Sequence, residues 1–271
     1  MPRIQAGAIA MHYERRGAGA PLVLIMGFGG SGAMWDDAFV DRLAARFDVV
    51  VPDNRGTGQS EKADAEIELR TLADDIAHLL DALQIERAHV FGVSMGGMIV
   101  QEFALAYPTR LRGLVLGCTN CGGANAVPAA PEVVQLLLPQ RGMTPREAIQ
   151  RTYAAMVTPE TLANETAFLD AMAARMLAHA TPVFVFRRQM EAIRRFDVCA
   201  RLHEIAAPTL AITGDRDRLV PPQNSEQIAA AIPGARLAVI PGAAHNFFWE
   251  AREVTARLVT AFLANVAPAF P

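Results

Sequence analysis

The stretch Gly92-Val93-Ser94-Met95-Gly96 decides the fold. It lies between an apolar, strand-like run from Ala88 to Phe91 and a helix-like run from Met98 to Ala106. A serine at the sharp turn between a buried strand and a helix is held in strained backbone geometry. Its hydroxyl is pushed into the open at the strand's carboxyl end. Small residues two before and two after are required, because the turn brings the helix and a neighbouring strand too close for a Cβ. Gly and Ser are common, so the five residues alone are a moderate signal. With the strand before and the helix after, they predict a nucleophilic serine.

A serine hydroxyl is a weak nucleophile and needs a base, an orienter for that base and donors for the oxyanion. Late in the chain, Pro208 to Thr213 reads as a buried strand followed by Gly214-Asp215-Arg216-Asp217-Arg218-Leu219-Val220-Pro221. A second strand, Arg236 to Ile240, runs into Pro241-Gly242-Ala243-Ala244-His245. Both loops leave the carboxyl ends of strands, the edge where an open parallel sheet places its site. Ser94, an Asp of the first loop and His245 can therefore converge. Asp215 and Asp217 are rivals for the acid, and Asp after Gly is also an ordinary turn residue.

Three further segments carry a family resemblance. Asp53-Asn54-Arg55-Gly56-Thr57-Gly58-Gln59-Ser60 is similar to the D-x-R-G-x-G-x-S loop of the alpha/beta-hydrolase family. Gly214-x-x-Asp217 with Val220-Pro221 resembles the segment bearing that family's acid, and Gly242-x-x-His245 the segment bearing its base. The chain resembles the family over essentially its whole length. The resemblance implies Ser94 as nucleophile, Asp217 as acid and His245 as base, in the order Ser, Asp, His. It also implies an oxyanion hole built from the backbone N–H groups of Phe28 and Met95. Phe28 lies in Gly27-Phe28-Gly29-Gly30-Ser31, after strand Leu22 to Met26. Many relatives carry a His immediately before the first Gly, where this chain has Met26. Backbone donors survive that change, but the bracing of the loop is left open. A phosphate-binding loop is the alternative for Gly27 to Gly30, and no Lys-Ser or Lys-Thr follows it.

The 271 residues are long enough to bury one large core, and 52% hydrophobic against 20% charged residues mark an ordinary globular protein. The 25 basic and 28 acidic side chains give a net charge of −3, with no basic cluster interleaved with aromatics, so nucleic acid is not an expected partner. Neither a secretion signal nor a membrane span is read, and the longest uncharged stretches, Gly17 to Trp35 and Gly113 to Pro131, are broken by Gly, Pro, Ser or Asn. Three cysteines fit a reducing cytoplasm better than a disulfide scaffold. Cys118 and Cys121 read as a buried or loop thiol pair rather than a redox dithiol. His12, His78, His89, His179 and His203 read as packed or surface side chains. No metal or organic cofactor is expected.

Along the chain, strands alternate with helices, which predicts a mostly parallel, doubly wound α/β sheet. The strands are expected around Ile4, at Ile9 to Arg15, Leu22 to Met26, Asp48 to Pro52, Ala88 to Val93 and Leu111 to Leu116. Helices are expected at Met34 to Arg46 and at Thr71 to Leu83, with Leu72, Ile76, Leu79, Leu80 and Leu83 on one face. From about Thr119 to Leu202 no strand is convincing. Helix starts are predicted at Thr144-Pro145, Thr158-Pro159 and Thr181-Pro182, each with Thr as N-cap, and Glu147 completes a capping box with Thr144.

This helical insert resembles the cap of the alpha/beta-hydrolase family, which implies a core of residues 1–118 and 203–271 with a helical cap at 119–202. Leu136 to Leu138, Met156, Phe168, Met172, Met176, Phe184, Phe186 and Met190 are candidates to line its pocket, most of them as packing residues. The expected activity is hydrolysis of a small to medium carboxylic ester or lactone, as in the enol-lactonase and small-esterase branch. Hydrolytic carbon–carbon cleavage, perhydrolysis or a receptor-like binding role are the alternatives. The partner is a small molecule, and the protein a monomer or homodimer.

Overall fold

The protein is described from a computed structural model, which covers residues 3–62, 65–138 and 140–266. Its strands are β1 (Arg3–Ala6), β2 (Ile9–Arg16), β3 (Ala20–Ile25), β4 (Phe47–Pro52), β5 (Ala88–Val93), β6 (Leu111–Gly117), β7 (Thr209–Gly214) and β8 (Arg236–Ile240). They form one sheet in the order β1-β2-β4-β3-β5-β6-β7-β8. From β4 to β8 every pairing is parallel, whereas β2 is antiparallel to both its neighbours. Every residue of β4, β5 and β7 is buried, because helices cover both faces.

The chain runs from β3 out to β4 and then crosses back to place β5 on the other side of β3. At that reversal the loops leaving β3 and β5 diverge and open a crevice at their carboxyl ends. The β3 loop is Gly27 to Gly30 and the β5 loop begins at Ser94, so the topology brings these two segments together.

On one face of the sheet, the helices Leu69–Ala82 and Met95–Ala106 pack their apolar sides on Val23, Ile25, Val90 and Leu114. Leu72, Ile76, Leu79 and Leu80 are buried as their spacing predicts, and Leu83 is half-buried just beyond the helix end. On the other face, the helices Asp37–Ala44 and Arg252–Ala264 cover Leu22, Leu24, Val49 and Phe91. There Trp35 packs against Phe39, Phe91 and Phe248, with ring centroids 4.9–5.7 Å apart. Among the described residues no helix is long and apolar enough to cross a membrane.

Between β6 and β7 lie the helices Pro131–Leu136, Pro145–Met156, Pro159–Asn164, Thr166–Ala178 and Val183–Arg195. Thr144 and Thr158 cap as predicted, and Thr144 forms the full box with Glu147. The third start differs. Pro182 is the N-cap, and the Thr181 hydroxyl instead donates to the Gly29 carbonyl at 2.9 Å. A tertiary acceptor has displaced the local cap.

Of the candidate lining residues, Met172 is buried and Phe168 packs edge-on against Trp249, docking the insertion on the core. Phe186 is exposed and lies against Phe28. Leu138 is half exposed at the far end of the first inserted helix.

The cysteine expectation is corrected. Cys121 is bonded to Cys199, 78 residues away, and Cys118 is the free, buried thiol. Sequence proximity suggested the pair Cys118 and Cys121, but the chain leaving β6 meets the chain returning to β7 at this point. Gly122 pairs with Asp197, and Val198 N–H donates to the Cys121 carbonyl at 2.9 Å. The bond thus closes the neck of the helical insertion, and the cytoplasmic placement drawn from unpaired thiols loses that premise. A link across so long a loop removes much chain entropy from the unfolded state. Replacing both Cys121 and Cys199 by Ser is expected to lower unfolding stability by about 2–4 kcal/mol in denaturant melts without reductant. A melt of the unsubstituted protein that reductant does not shift would show that the bond does not form.

Candidate active site

Ser94 sits at φ 57 and ψ −123, between the end of β5 and the helix Met95–Ala106. A non-glycine residue there costs roughly 1–3 kcal/mol, which the surroundings must supply. A Cβ at Gly92 would collide with the Gly96 carbonyl, and one at Gly96 with the Ile25 carbonyl, so both flanking glycines are steric requirements of the turn. Hydrogen bonds hold the strained residue from two sides. Ser94 N–H donates to the Gly117 carbonyl at 2.9 Å, and the Thr119 hydroxyl donates to the Ser94 carbonyl at 2.8 Å.

Asp217 and His245 meet across the loops after β7 and β8. His245 Nδ1 lies 2.9 Å from Asp217 Oδ2, and the two residues are only 4% and 3% exposed. The other carboxylate oxygen, Oδ1, accepts the N–H groups of Leu219 and Val220 at 2.9 and 2.8 Å. The carboxylate is therefore satisfied on both oxygens and rigidly aimed. Asp215, the rival acid, accepts from Gly242 N–H at 2.7 Å, so it ties the two loops together.

Burial is the largest single influence on His245 and lowers its pKa, but the charge and hydrogen bond of Asp217 together with the neighbouring Cys118 outweigh it and hold the ring well above its ordinary 6.5. Cys118 lies beside this pair, and burial pushes its thiol pKa up and keeps it neutral. One ligand atom from each of Cys118, Asp217 and His245 falls within 4.8 Å of the others. A soft divalent cation could use these residue types only by ionising the thiol and breaking the Asp217–His245 bond. As they stand, the three fit a proton-sharing pair better than a metal centre.

The Gly27 to Gly30 loop lies directly over the serine. A Cβ on Gly27 would come within 3.5 Å of Ser94 Oγ. Met95 N–H opens a helix and has no intrahelical acceptor, and among the described residues none is paired with Phe28 N–H.

The bracing that Met26 left open is supplied from elsewhere. Asn54 Nδ2 donates to the Met26 carbonyl at 2.9 Å, Asp53 Oδ1 accepts from Gly32 N–H at 2.7 Å, and Gln189 Oε1 accepts from Gly29 N–H at 2.8 Å. The Asp53–Ser60 motif is thus a brace at the base of this loop. His12 Nδ1 meets Asp53 Oδ2 at 2.9 Å, which makes it a packed histidine of that brace. Burial and then Arg112 lower the His89 pKa to about 4, and His89 packs against Phe47 far from Ser94 along β5. Asn54 could have been singled out from its motif. Gln189, 160 residues from Gly29, carries no local signal at all.

An imidazole with a raised pKa stays protonated to higher pH and becomes a free base only as pH rises through that value. The acid limb of kcat/KM is therefore expected above histidine's ordinary value of about 6.5. Replacing Asp217 by Asn removes the charge and leaves burial, so the limb should move to lower pH while kcat falls by about 10²-fold or more. Asp215→Ala should keep most of its turnover. The reverse pattern, activity lost in Asp215→Ala and kept in Asp217→Ala, would exchange the two acids.

Comparison with known proteins agrees with this architecture. The family model of the alpha/beta hydrolase fold matches residues 20–252. A protein of Azorhizobium caulinodans named as a carbamate hydrolase, RutD, is 32% identical over 266 residues, covering 98% of this chain and 99% of its own. A 2-hydroxy-6-oxononadienedioate/2-hydroxy-6-oxononatrienedioate hydrolase of Paraburkholderia xenovorans is 33% identical, with 96% of this chain and 92% of its own covered. Among solved structures, a thermophilic esterase from Thermogutta terrifontis superposes with a TM-score of 0.83 at 28% identity, covering 98% of this chain and 99% of its own. With the doubly wound sheet, the serine elbow and a family match over most of its length, the chain belongs to the alpha/beta hydrolase fold family.

Proposed function

We propose that this hydrolase cleaves small to medium carboxylic esters or lactones through an acyl-enzyme on Ser94, beneath a cap formed by residues 119–202. The observation that carries the reading is the buried Asp217–His245 bond of 2.9 Å, which shares the neighbour Cys118 with a serine held at φ 57. That arrangement costs the fold a strained residue and a buried ionisable pair, and nucleophilic catalysis uses both.

In this reading His245 takes the Ser94 proton as the hydroxyl oxygen attacks the carbonyl carbon. Asp217 orients the ring and stabilises its cation. The N–H groups of Phe28 and Met95 bind the developing oxyanion, the interaction that is strongest in the transition state. His245 then protonates the departing alkoxide, and water attacks the acyl-enzyme by the same steps in reverse. A lactone follows the same route with its leaving alkoxide still tethered. No step calls for a metal or organic cofactor.

A second reading follows from the carbamate hydrolase relative, whose match spans nearly the whole of both chains. A carbamate carbonyl is attacked by the same serine. Its nitrogen lone pair makes the carbon less electrophilic, so it demands more of the oxyanion donors. Hydrolytic carbon–carbon cleavage, the alternative raised by the sequence, would also use the same three side chains.

The deciding experiment compares wild type with Ser94→Ala on p-nitrophenyl esters, simple lactones, aryl carbamates and vinylogous diketones. Ester or lactone turnover is expected, with Ser94→Ala at least about 10³-fold slower and its melting unchanged. Turnover confined to carbamates or diketones would move the reading to those classes. Near wild-type rates in a clean Ser94→Ala preparation would overturn the serine mechanism.

A further inference from the structure

The helical insertion hydrogen-bonds the loop above Ser94 at Gly29. Gly29 N–H donates to Gln189 Oε1 at 2.8 Å, and the Gly29 carbonyl accepts from Thr181 Oγ at 2.9 Å. Both partners belong to the segment between β6 and β7, while Gly29 belongs to the core sheet. The loop itself is a tight turn closed by Gly30 N–H on the Gly27 carbonyl at 3.1 Å. Gly29 takes φ +65 within it, and a Cβ there would collide with the Phe186 ring of the insertion. That ring also meets Phe28 edge-on, with centroids 5.3 Å apart.

These contacts leave the turn little freedom. Gln189 fixes the plane of the Phe28–Gly29 peptide, and Thr181 fixes the plane of the next one. The Phe28 N–H lies one residue before the first pinned plane, so its direction is set by the same grip. The braces from the core, Asn54 on the Met26 carbonyl and Asp53 on Gly32 N–H, hold only the two ends of the loop. Its tip is held by the insertion.

Both side chains give something up to do this. Gln189 is fully buried, and its Nε2 has no partner among the described residues. Leaving half of a buried amide unpaired destabilises the fold, and an apolar side chain of equal length would avoid that loss. Thr181, followed by Pro182, has the sequence of an N-cap, yet its hydroxyl is turned to Gly29. Packing alone explains neither choice, whereas holding Gly29 explains both.

We propose that Gln189, with Thr181, is a positioning residue that holds the Gly27–Gly30 turn so that Phe28 N–H meets the developing oxyanion. The oxyanion hole is then complete only when the helical insertion is docked. The inference rests on the acyl-transfer reading of Ser94.

The test uses the p-nitrophenyl ester that wild type turns over best, with a trifluoromethyl ketone as a probe that forms a tetrahedral adduct on the serine. Gln189→Met keeps length and burial but removes the acceptor; Thr181→Val is the independent second variant. For each, kcat is expected to fall about tenfold or more, below the loss from deleting an oxyanion donor outright, with KM changing little. Affinity for the ketone should weaken in parallel with kcat/KM, and melting of Gln189→Met should not drop. If kcat and ketone affinity hold in both variants, or if only KM or melting changes, the inference is wrong. Failure of the underlying reading is separate, because it would appear as turnover that survives Ser94→Ala.

Discussion

Ser94 holds its backbone at φ 57 and ψ −123, a conformation that L-residues resist, and much of the molecule keeps it there. The strain is useful because it lifts the side chain out of the helix that starts behind it and off the strand that ends in front. It can persist only where alternatives are closed. Gly92 and Gly96 let the helix approach the sheet to within backbone contact. The Gly117 carbonyl and the Thr119 hydroxyl then bind the serine's own N–H and carbonyl. Relaxing φ would break both bonds and strip the buried Gly117 and Thr119 of their partners, where unpaired polar groups are costly.

The same strip of chain connects the serine to its proton-handling partners. Gly117 and Thr119 hold Ser94, while Cys118 between them donates its N–H to Ile212 of β7 at 2.9 Å. Five residues beyond Ile212 lies Asp217, whose two carboxylate oxygens are engaged by two backbone N–H groups and His245. Burying an aspartate is expensive unless it is fully hydrogen-bonded, and this one is. The cost is recovered as orientation, since a carboxylate held at Oδ1 by two N–H groups presents Oδ2 to the imidazole in a fixed direction.

Among the contacts that join the helical insertion to the core, three differ in kind. The Cys121–Cys199 bond closes its neck, Phe168 and Tyr153 pack edge-on against Trp249, and Gln189 and Thr181 hold Gly29. The first lowers the entropy of the unfolded chain, the second buries apolar surface, and the third uses directional bonds on a loop next to the reacting atoms. Of these three, only the third fixes peptide planes, because hydrogen bonds are directional and apolar packing is not.

Local sequence determined what local physics determines. The strand–elbow–helix around Ser94, the buried strands β4, β5 and β7, the Thr144 capping box and the apolar face of Leu69–Ala82 all follow from periodicity, turn chemistry and steric need within a few residues. His245 and the loop holding Asp215 and Asp217 were legible because each follows a strand at the sheet's carboxyl edge, while the family resemblance, not position, singled out Asp217. Tertiary structure decided whatever depends on partners far away in the chain. Cys121 bonded to Cys199 rather than pairing with Cys118, and Thr181 surrendered its cap to Gly29. Gln189 became the acceptor for a loop 160 residues earlier. A hydrogen bond or a disulfide is satisfied by whichever partner the fold brings within reach, and spacing along the chain carries no record of that.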